Sequence, residues 1–156
     1  MQKNKVVEYF EMSGMKDKIY EFDKSSATVE LAAQRLNCEP KKIAKTLAFL
    51  VNDNPILIVA AGDAKVDNAK YREKFKEKAK MIQIEKLEEL VGHKVGGVCP
   101  FCIKENVTVY LDVSLKRFEE IYPACGASNN AVKLTINQLE EHSKYIEWID
   151  VCKDWN

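Results

Sequence analysis

The feature that most constrains the fold is a pair of apolar runs separated by a short turn. Residues 43–51 and residues 56–61 each have the length and composition of a buried strand. Between them lies Asn-Asp-Asn-Pro (52–55), in which every residue favours a turn. Two strands joined by so short a connection pair with each other, so the sequence predicts a β-hairpin.

Helical and strand patterns are mixed along the rest of the chain. Apolar periodicity predicts helices over residues 1–12, 67–80, 84–91 and 136–142. A further helix runs through Leu36, with N-caps offered by Ser25, Ser26 and Thr28. Apolar runs and alternating patterns predict strands over residues 18–22, 107–113, 119–125, 131–135 and 145–151.

This order of elements favours an α+β fold. We expect a single domain over residues 1–156, in which residues 1–17 form an N-terminal helical extension. Its centre is a curved, barrel-like, mostly antiparallel or mixed β-sheet flanked by helices.

Bulk composition is that of an ordinary globular protein. Of the 156 residues, 46% are hydrophobic and 31% are charged, and the formal net charge is zero. No apolar run approaches the roughly 20 residues of a membrane helix, and the N-terminus lacks the apolar core of a signal peptide. We therefore expect a cytoplasmic protein that binds neither membrane nor DNA. Its five cysteines should be free thiols in that reducing compartment.

One segment departs from this neutral balance. Residues 65–80 contain seven basic and three acidic residues, a net charge of +4. Such a run is usually a solvated helix face. The alternative is a surface that contacts the phosphates of a nucleic acid.

Lys45 is the first candidate for chemistry. Period two places it on the same strand face as Leu47, Phe49 and Val51. A lysine among apolar neighbours is unfavourable unless its ammonium group reaches water or an anion. The sequence leaves two readings open, a strand-end lysine that extends to solvent and an anion contact at the rim of a pocket.

Two loops are further candidates. In residues 96–101, Gly-Gly-Val-Cys-Pro-Phe, the glycines allow a ligand close to the backbone, and free N–H groups there could stabilise an oxyanion. Residues 125–130, Cys-Gly-Ala-Ser-Asn-Asn, form either a plain hairpin loop or a pocket wall. The first loop can equally be an ordinary glycine turn.

Asp112 lies on the polar face of its strand beside Tyr110. It could orient Lys45, a hydroxyl group or a water molecule. The alternative is an aspartate that ends a strand in a turn.

The pair Cys99 and Cys102 is a weak signal for metal or redox chemistry. A redox pair normally opens a helix, whose N-terminus lowers the thiol pKa, and here a strand pattern follows. A structural zinc site usually has four ligands, which come as two closely spaced pairs in the sequence. The remaining candidates do not repeat the short spacing: Cys125, Cys152, His93 and His142. No Ser-His-Asp pattern or nucleotide-binding glycine motif is present, so an enzyme of this kind would rely on positioning and backbone polarisation.

Five motifs in order resemble the YbaK and prolyl-tRNA synthetase-associated editing-domain family. They are Ser-Ser-Ala-Thr-Val-Glu-Leu-Ala-Ala (25–33), Ile-Ala-Lys-Thr-Leu (43–47), Gly-His-Lys-Val-Gly-Gly-Val-Cys-Pro-Phe (92–101), Tyr-Leu-Asp (110–112) and Cys-Gly-Ala-Ser-Asn-Asn-Ala-Val-Lys-Leu (125–134). The resemblance covers residues 25–151, nearly the whole chain. It implies an α+β domain that hydrolyses mischarged tRNA, and many members act on tRNA for proline carrying alanine or cysteine.

The resemblance also implies roles for individual residues. It implies a catalytic role for Lys45, Gly97 and Asp112, without a metal or cofactor. The implied substrate-binding residues are Val98, Cys99, Pro100, Phe101, Gly126, Ala127 and Ser128. The implied partners are the aminoacylated 3′ end of a tRNA and, as a further candidate, an aminoacyl-tRNA synthetase.

This chain departs from the family pattern at two places. Cys102 stands where members commonly have glycine, and Asn129 and Asn130 stand where some alanine-specific members carry a histidine. The amino acid that is removed therefore stays open. Two other hypotheses are a non-catalytic module that binds aminoacyl-tRNA or a synthetase, and a zinc or redox domain built on Cys99 and Cys102.

Overall fold

A computed structural model describes residues 4–155 as a mixture of short helices and strands. The helices are α1 (Lys5–Met12), α2 (Val29–Leu36), α3 (Asn68–Phe75), α4 (Leu87–Leu90) and α5 (Ile136–Ser143). The strands are β1 (Ile19–Glu21), β2 (Ile43–Val51), β3 (Asn54–Ala61), β4 (Lys65–Val66), β5 (Thr108–Asp112), β6 (Glu120–Pro123), β7 (Asn130–Val132), β8 (Leu134–Thr135), β9 (Glu147–Ile149) and β10 (Cys152–Lys153).

The main sheet has six strands in the order β8-β6-β2-β3-β5-β9 and curls into a half-barrel. The pairs β2–β3 and β6–β8 are antiparallel, whereas β2–β6, β3–β5 and β5–β9 are parallel. Two small antiparallel pairs, β1–β7 and β4–β10, lie beside it. The predicted α+β class is confirmed, and the sheet is the mixed form of the two that the sequence allowed.

The predicted hairpin is the centre of this sheet. Strands β2 and β3 pair in one continuous antiparallel register, with Lys45 opposite Ala60. Asn52 and Asp53 have φ angles of 51° and 64°. Asn and Asp tolerate this left-handed conformation better than most residues, and two such residues in succession match the twist of a tight hairpin.

Helix α1 closes one side of the core. Val6 and Phe10 are fully buried, and the ring of Phe10 meets that of Phe101 edge to face at 4.9 Å. Asn4 caps the helix by accepting a hydrogen bond from the Val6 N–H at 2.8 Å. The described part of the predicted extension is therefore packed into the domain; residues 1–3 of the predicted helix lie outside the described residues.

The long helix predicted over residues 67–80 ends early. Asp67 caps α3, and Phe75 is its last residue because Lys76 adopts a left-handed conformation with φ of 65°. Beyond that point the chain is held against β2, where the Leu50 N–H donates to the Lys80 carbonyl at 2.9 Å. These tertiary hydrogen bonds override the local helix propensity. None of the described helices is long and apolar enough to cross a membrane.

Packing of α1 can be tested by removing its central side chain. Phe10→Ala should lower the free energy of unfolding by about 3 to 5 kcal/mol, the range for deleting a buried phenylalanine. Met12, 89% exposed on the same helix, supplies the control. Met12→Ala should leave the denaturant midpoint nearly unchanged; equal effects of the two substitutions would contradict a core role for α1.

Candidate active site

A cavity of about 390 Å³ opens at the edge of β2. Strand β6 pairs with β2 only as far as Ala44, opposite Pro123. The next neighbour on this edge is Ile82, whose N–H donates to the Ala48 carbonyl at 3.0 Å. In the described part of the chain, residues 45–47 have no strand beside them on this edge. The cavity opens at this gap in the sheet.

Lys45 lies in the wall of this cavity. Its side chain is half-buried, and burial lowers the pKa of its ammonium group. Among residues 4–155 no hydrogen bond or ion pair is made by this ammonium group. The nearby Asp63 carboxylate is held instead by Arg117, with N–O distances of 3.0 and 2.6 Å. Lys45 is thus placed to bind an anionic or strongly polar ligand, and such a ligand would favour its charged form.

The glycine loop forms a second wall. A Cβ atom on Gly97 would lie 2.8 to 2.9 Å from the backbone of Gly126 and Ala127, so the two candidate loops touch each other. Gly96, with φ of +88°, packs in the same way against Ser128 and Ala27. Only glycine permits both approaches. The three segments that sequence analysis selected separately therefore meet at one place.

Asn130 fixes the second loop. Its side-chain oxygen accepts hydrogen bonds from the N–H groups of Cys125 and Ala127 at 3.1 and 3.2 Å, and its amide donates to the Cys125 carbonyl at 3.0 Å. The residue is buried and also lines the cavity. The sequence placed Asn130 in the candidate loop 125–130 and marked it as a departure from the family pattern, without a role for its side chain. An asparagine directly after a small-residue loop was the available signal, because this side chain commonly bonds to nearby backbone.

The predicted binding residues lie in three different places. Val98 lines the cavity, together with Gly96 of the same loop. The side chains of Cys99, Pro100 and Phe101 are buried behind the loop and do not line it. Gly126, Ala127 and Ser128 form the neighbouring loop, whose Ser128 carbonyl accepts from the Ser26 N–H at 2.7 Å. Their substrate contacts stay a prediction.

The backbone N–H groups of the glycine loop differ in availability. The Gly97 N–H donates to the Lys94 carbonyl at 3.1 Å and is therefore occupied. The N–H of Val98 has no acceptor among the described residues. The resemblance implies a catalytic role for Gly97, whereas the hydrogen-bond pattern of the described residues leaves the N–H groups of Gly96 and Val98, which both line the cavity, available to a ligand.

Buried polar groups support this loop from below. The His93 Nε2 atom lies 2.6 Å from the Phe101 carbonyl oxygen and 3.6 Å from the Cys99 sulfur. Burial lowers the pKa of His93 and raises that of Cys99 to about 12, so the thiol stays protonated at neutral pH. Residues 4–155 contain no group of three or more His, Cys, Asp or Glu side chains arranged to hold a metal ion. All five cysteines have free thiols, as expected.

Asp112 lies at the end of β5 and does not line the cavity. Its fully buried carboxylate accepts one hydrogen bond from the Ser114 N–H and one from the Val151 N–H, both at 3.0 Å. Ser114 in turn accepts from the Ala61 N–H at 3.1 Å. The carboxylate thus joins the ends of β3 and β5 to the chain before β10, and any catalytic role remains a prediction.

Comparison with known proteins places this chain in a family. A model of the aminoacyl-tRNA editing domain matches residues 23–142. The chain belongs to the aminoacyl-tRNA editing domain family. The uncharacterized protein YwhH of Bacillus subtilis (strain 168) is 49% identical over 148 residues, which is 94% of each chain.

Other relatives of this editing domain carry more specific descriptions. EbsC of Enterococcus faecalis (strain ATCC 700802 / V583), described as a candidate Cys-tRNA(Pro)/Cys-tRNA(Cys) deacylase, is 26% identical over 85% of this chain and 84% of its own. A crystal structure of a candidate trans-editing enzyme for prolyl-tRNA synthetase has a TM-score of 0.83 and 25% identity, covering 95% of this chain and 94% of that one. Proline–tRNA ligase of Geobacillus sp. (strain WCH70) is 28% identical over 65% of this chain but only 18% of its own length.

The role of Asp112 can be separated into stability and catalysis. Asp112→Ala leaves two buried N–H groups without an acceptor, at about 1 to 3 kcal/mol each, so the free energy of unfolding should fall by several kcal/mol. Asp150, whose exposed carboxylate pairs with Lys70, is the control, and Asp150→Ala should change stability by about 1 kcal/mol or less. A stable Asp112→Ala protein that has lost deacylation would instead assign Asp112 to the chemistry.

Proposed function

We propose that this editing domain hydrolyses, in trans, the ester bond of tRNA for proline that carries alanine or cysteine. The observation that carries the proposal is the half-buried Lys45 ammonium group, which has no partner among the described residues, in a cavity bounded by two interlocking loops. The likeness to EbsC and to a free-standing candidate trans-editing enzyme supports the specific substrate. The match to part of a proline–tRNA ligase supports a partnership with that synthetase.

Lys45 binds the nucleotide end of the substrate in this proposal. The ester joins the aminoacyl group to a ribose hydroxyl of the terminal adenosine, beside phosphate and hydroxyl oxygens. An ammonium group that has already lost part of its hydration, and that has no internal partner in the described structure, gives up little when it contacts such oxygens. This contact fixes the scissile carbonyl relative to the glycine loop, and positioning of this kind lowers the barrier.

The glycine loop stabilises the transition state. When water attacks the carbonyl carbon, the carbonyl π electrons move to oxygen, and the Val98 N–H donates to the developing oxyanion. Collapse of the tetrahedral intermediate re-forms the carbonyl, breaks the ester C–O bond and leaves the ribose oxygen, which takes up a proton. Gly97 contributes by its lack of a side chain, since any Cβ atom would separate the two loops.

The cavity wall constrains where the protons go. Its described lining residues include no His, Asp, Glu or Cys side chain. The proton released by the attacking water therefore passes to solvent or to a group of the substrate. The chemistry proposed here depends on positioning and backbone polarisation, without a covalent nucleophile.

The same wall favours a small, uncharged amino acid. Most of its residues are small or aliphatic, among them Ala44, Ala48, Ala124 and Val98. Lys45 is its only formally charged lining residue among those described. A basic side chain would lose its hydration there and meet the like charge of Lys45, whereas an acidic one would find that ammonium group already engaged by the nucleotide end, which disfavours both in this proposal. Alanine and cysteine satisfy this limit, and the reaction belongs in the cytoplasm, where charged tRNA is used.

Substitution of Lys45 tests the proposal directly. A hydrogen bond to a charged group is worth about 1.5 to 3 kcal/mol, so Lys45→Ala should reduce kcat/KM for Ala-tRNA or Cys-tRNA of the proline type roughly tenfold or more. Lys45→Met keeps the length of the side chain without its charge and should be equally impaired. Thermal stability of both should stay close to that of the parent.

Deacylation is measured against correctly charged Pro-tRNA as the reference substrate. Parent-level activity in both Lys45 variants would refute the assigned role of this residue. Tight binding of mischarged tRNA by the parent without any turnover would favour the non-catalytic binding module.

A backbone substitution tests the oxyanion donor. Val98→Pro removes the N–H, and loss of one such donor typically lowers kcat by about 10²- to 10³-fold. Val98→Ala keeps the N–H and should retain most activity. Circular dichroism and thermal melting establish that both variants are folded. A folded Val98→Pro protein with normal kcat would exclude this N–H from the mechanism.

A further inference from the structure

We propose that the 3′ single strand of the tRNA docks on a surface built from two adjoining parts, a lysine segment and an apolar rim. The lysine segment is residues 76–80, which present Lys76, Lys78 and Lys80. The apolar rim is Met81, Ile84 and Val95 at the cavity mouth. The identity of the nucleic acid rests on the proposed function, whereas the surface rests on the observations below.

The lysines of helix α3 are not the ones available for phosphate. Lys70 pairs with Asp150 at 3.1 Å, and Lys74 pairs with Glu147. These contacts offset the positive charge within the helix. Because α3 ends at Phe75, Lys76, Lys78 and Lys80 are displayed on a separate segment that has neither helical nor strand structure, whereas Lys65 lies in β4 and the exposed Arg72 lies on α3.

The lysine segment is anchored on its inner side. The Asn52 N–H donates to the Glu77 carboxylate at 2.6 Å, and the Leu50 N–H donates to the Lys80 carbonyl at 2.9 Å. Exposure alternates along the segment: Glu77 and Ala79 are half-buried, and the three lysines are exposed. In the described structure none of the three ammonium groups has an acceptor. A fixed row of unpaired ammonium groups matches the repeated phosphates of a nucleic-acid strand.

The apolar rim continues directly from Lys80. Met81, Ile84 and Val95 are 61%, 65% and 56% exposed, and all three line the cavity mouth. They are half of the six large apolar side chains that the described residues expose, the others being Met12, Tyr20 and Ile146. Isolated exposed apolar residues are ordinary, but a cluster around a cavity indicates a ligand contact. A flat base can lie between apolar side chains of this kind.

The charges around the cavity mouth determine from which side the 3′ single strand of the tRNA approaches. Beyond the rim, the segment that includes α4 exposes Glu85, Glu88 and Glu89 against one lysine, Lys86, which leaves it with a net negative charge. Phosphates are repelled from that side and attracted to the lysine segment on the other. The 3′ single strand of the tRNA therefore crosses the lysine segment first. Its terminal base then lies on the apolar rim, and its aminoacyl group enters the cavity beside Lys45.

Binding of RNA that carries no amino acid tests the surface without measuring turnover. The probe is a fluorescent acceptor-stem hairpin that ends in a single-stranded CCA, and anisotropy is measured across a salt series. Replacing Lys76, Lys78 and Lys80 together with Gln should weaken binding about tenfold at low salt, and should flatten the log–log salt dependence by about 2, or roughly 0.7 for each single-strand contact. The control replaces Lys16, Lys104 and Lys144, which are exposed elsewhere, and should bind like the parent.

The rim is tested with a second probe that lacks the terminal adenosine. The parent should bind the complete hairpin more tightly than this shortened one. The double variant Met81→Ser, Ile84→Ser should bind the two hairpins equally while keeping the salt dependence of the parent.

Each result decides one of the two proposals. Parent-like binding and salt dependence in the lysine triple variant would overturn the docking surface, even if the parent hydrolyses mischarged tRNA. Equal displacement of the probe by a polyglutamate peptide of the same charge would overturn RNA as the occupant. RNA binding that depends on both parts of the surface, in a parent without deacylase activity, would support the surface and reject the proposed function.

Discussion

The site depends on an interruption in the hydrogen bonding of one strand edge. Strand β6 leaves β2 after Ala44, and the chain at Ile82 joins β2 again at Ala48. An unpaired strand edge is normally covered, because its N–H and C=O groups need partners. Here the uncovered edge opens into a cavity that is also lined by α2, by the first residue of α4, by β6 and β7, and by loop residues. The position of Lys45 within that gap leaves its ammonium group open to the cavity, whereas the same residue under a continuous sheet would be an unfavourable buried charge.

Buried polar side chains in this domain mainly hold backbone in place. Asn130 makes three hydrogen bonds within its own loop, and Asp112 joins three parts of the chain. His93 contacts the Phe101 carbonyl behind the glycine loop. Each satisfies backbone groups that loops would otherwise leave unpaired in the interior. A site that acts through backbone N–H groups needs such supports, because a small displacement of the donor removes its effect.

Because many of these supporting contacts join residues far apart in the chain, only part of the fold and the site could be predicted from the sequence. The hairpin and the α+β class follow from residue types and their order, whereas the grouping of Lys45 with two glycine-containing loops came from the resemblance to the editing-domain family. The end of α3 does not, because it is set by hydrogen bonds from β2 to residues far along the chain. The burial of Phe101 also depends on a distant partner, Phe10 of α1. Local patterns cannot contain these contacts.

Individual roles were harder to predict than the site itself. Asp112 has the residue type of a catalytic group, yet its two oxygens both accept from backbone N–H groups. The family resemblance pointed to Gly97, but its N–H is occupied by the Lys94 carbonyl. The side chain of Val98 gives no hint of a role, and the part we propose for it rests on an N–H that has no acceptor within residues 4–155. Residue type identifies candidates, whereas the hydrogen-bond pattern decides which atoms remain available.

The distribution of charge also bears on how such a domain can distinguish between the amino acids attached to a tRNA. Positive charge lies at Lys45 and along residues 76–80, which in our two proposals meet the 3′ end that every tRNA shares. The wall that would meet the amino acid is mostly small and apolar. Selectivity between amino acids must then arise from size and from the loss of hydration, since one methylene group in an apolar pocket changes binding by only about 1 to 3 kcal/mol. In our proposal such a pocket disfavours charged side chains but separates alanine from cysteine poorly, so that this distinction would depend on the fit of the loops held by Gly97, Gly126 and Asn130.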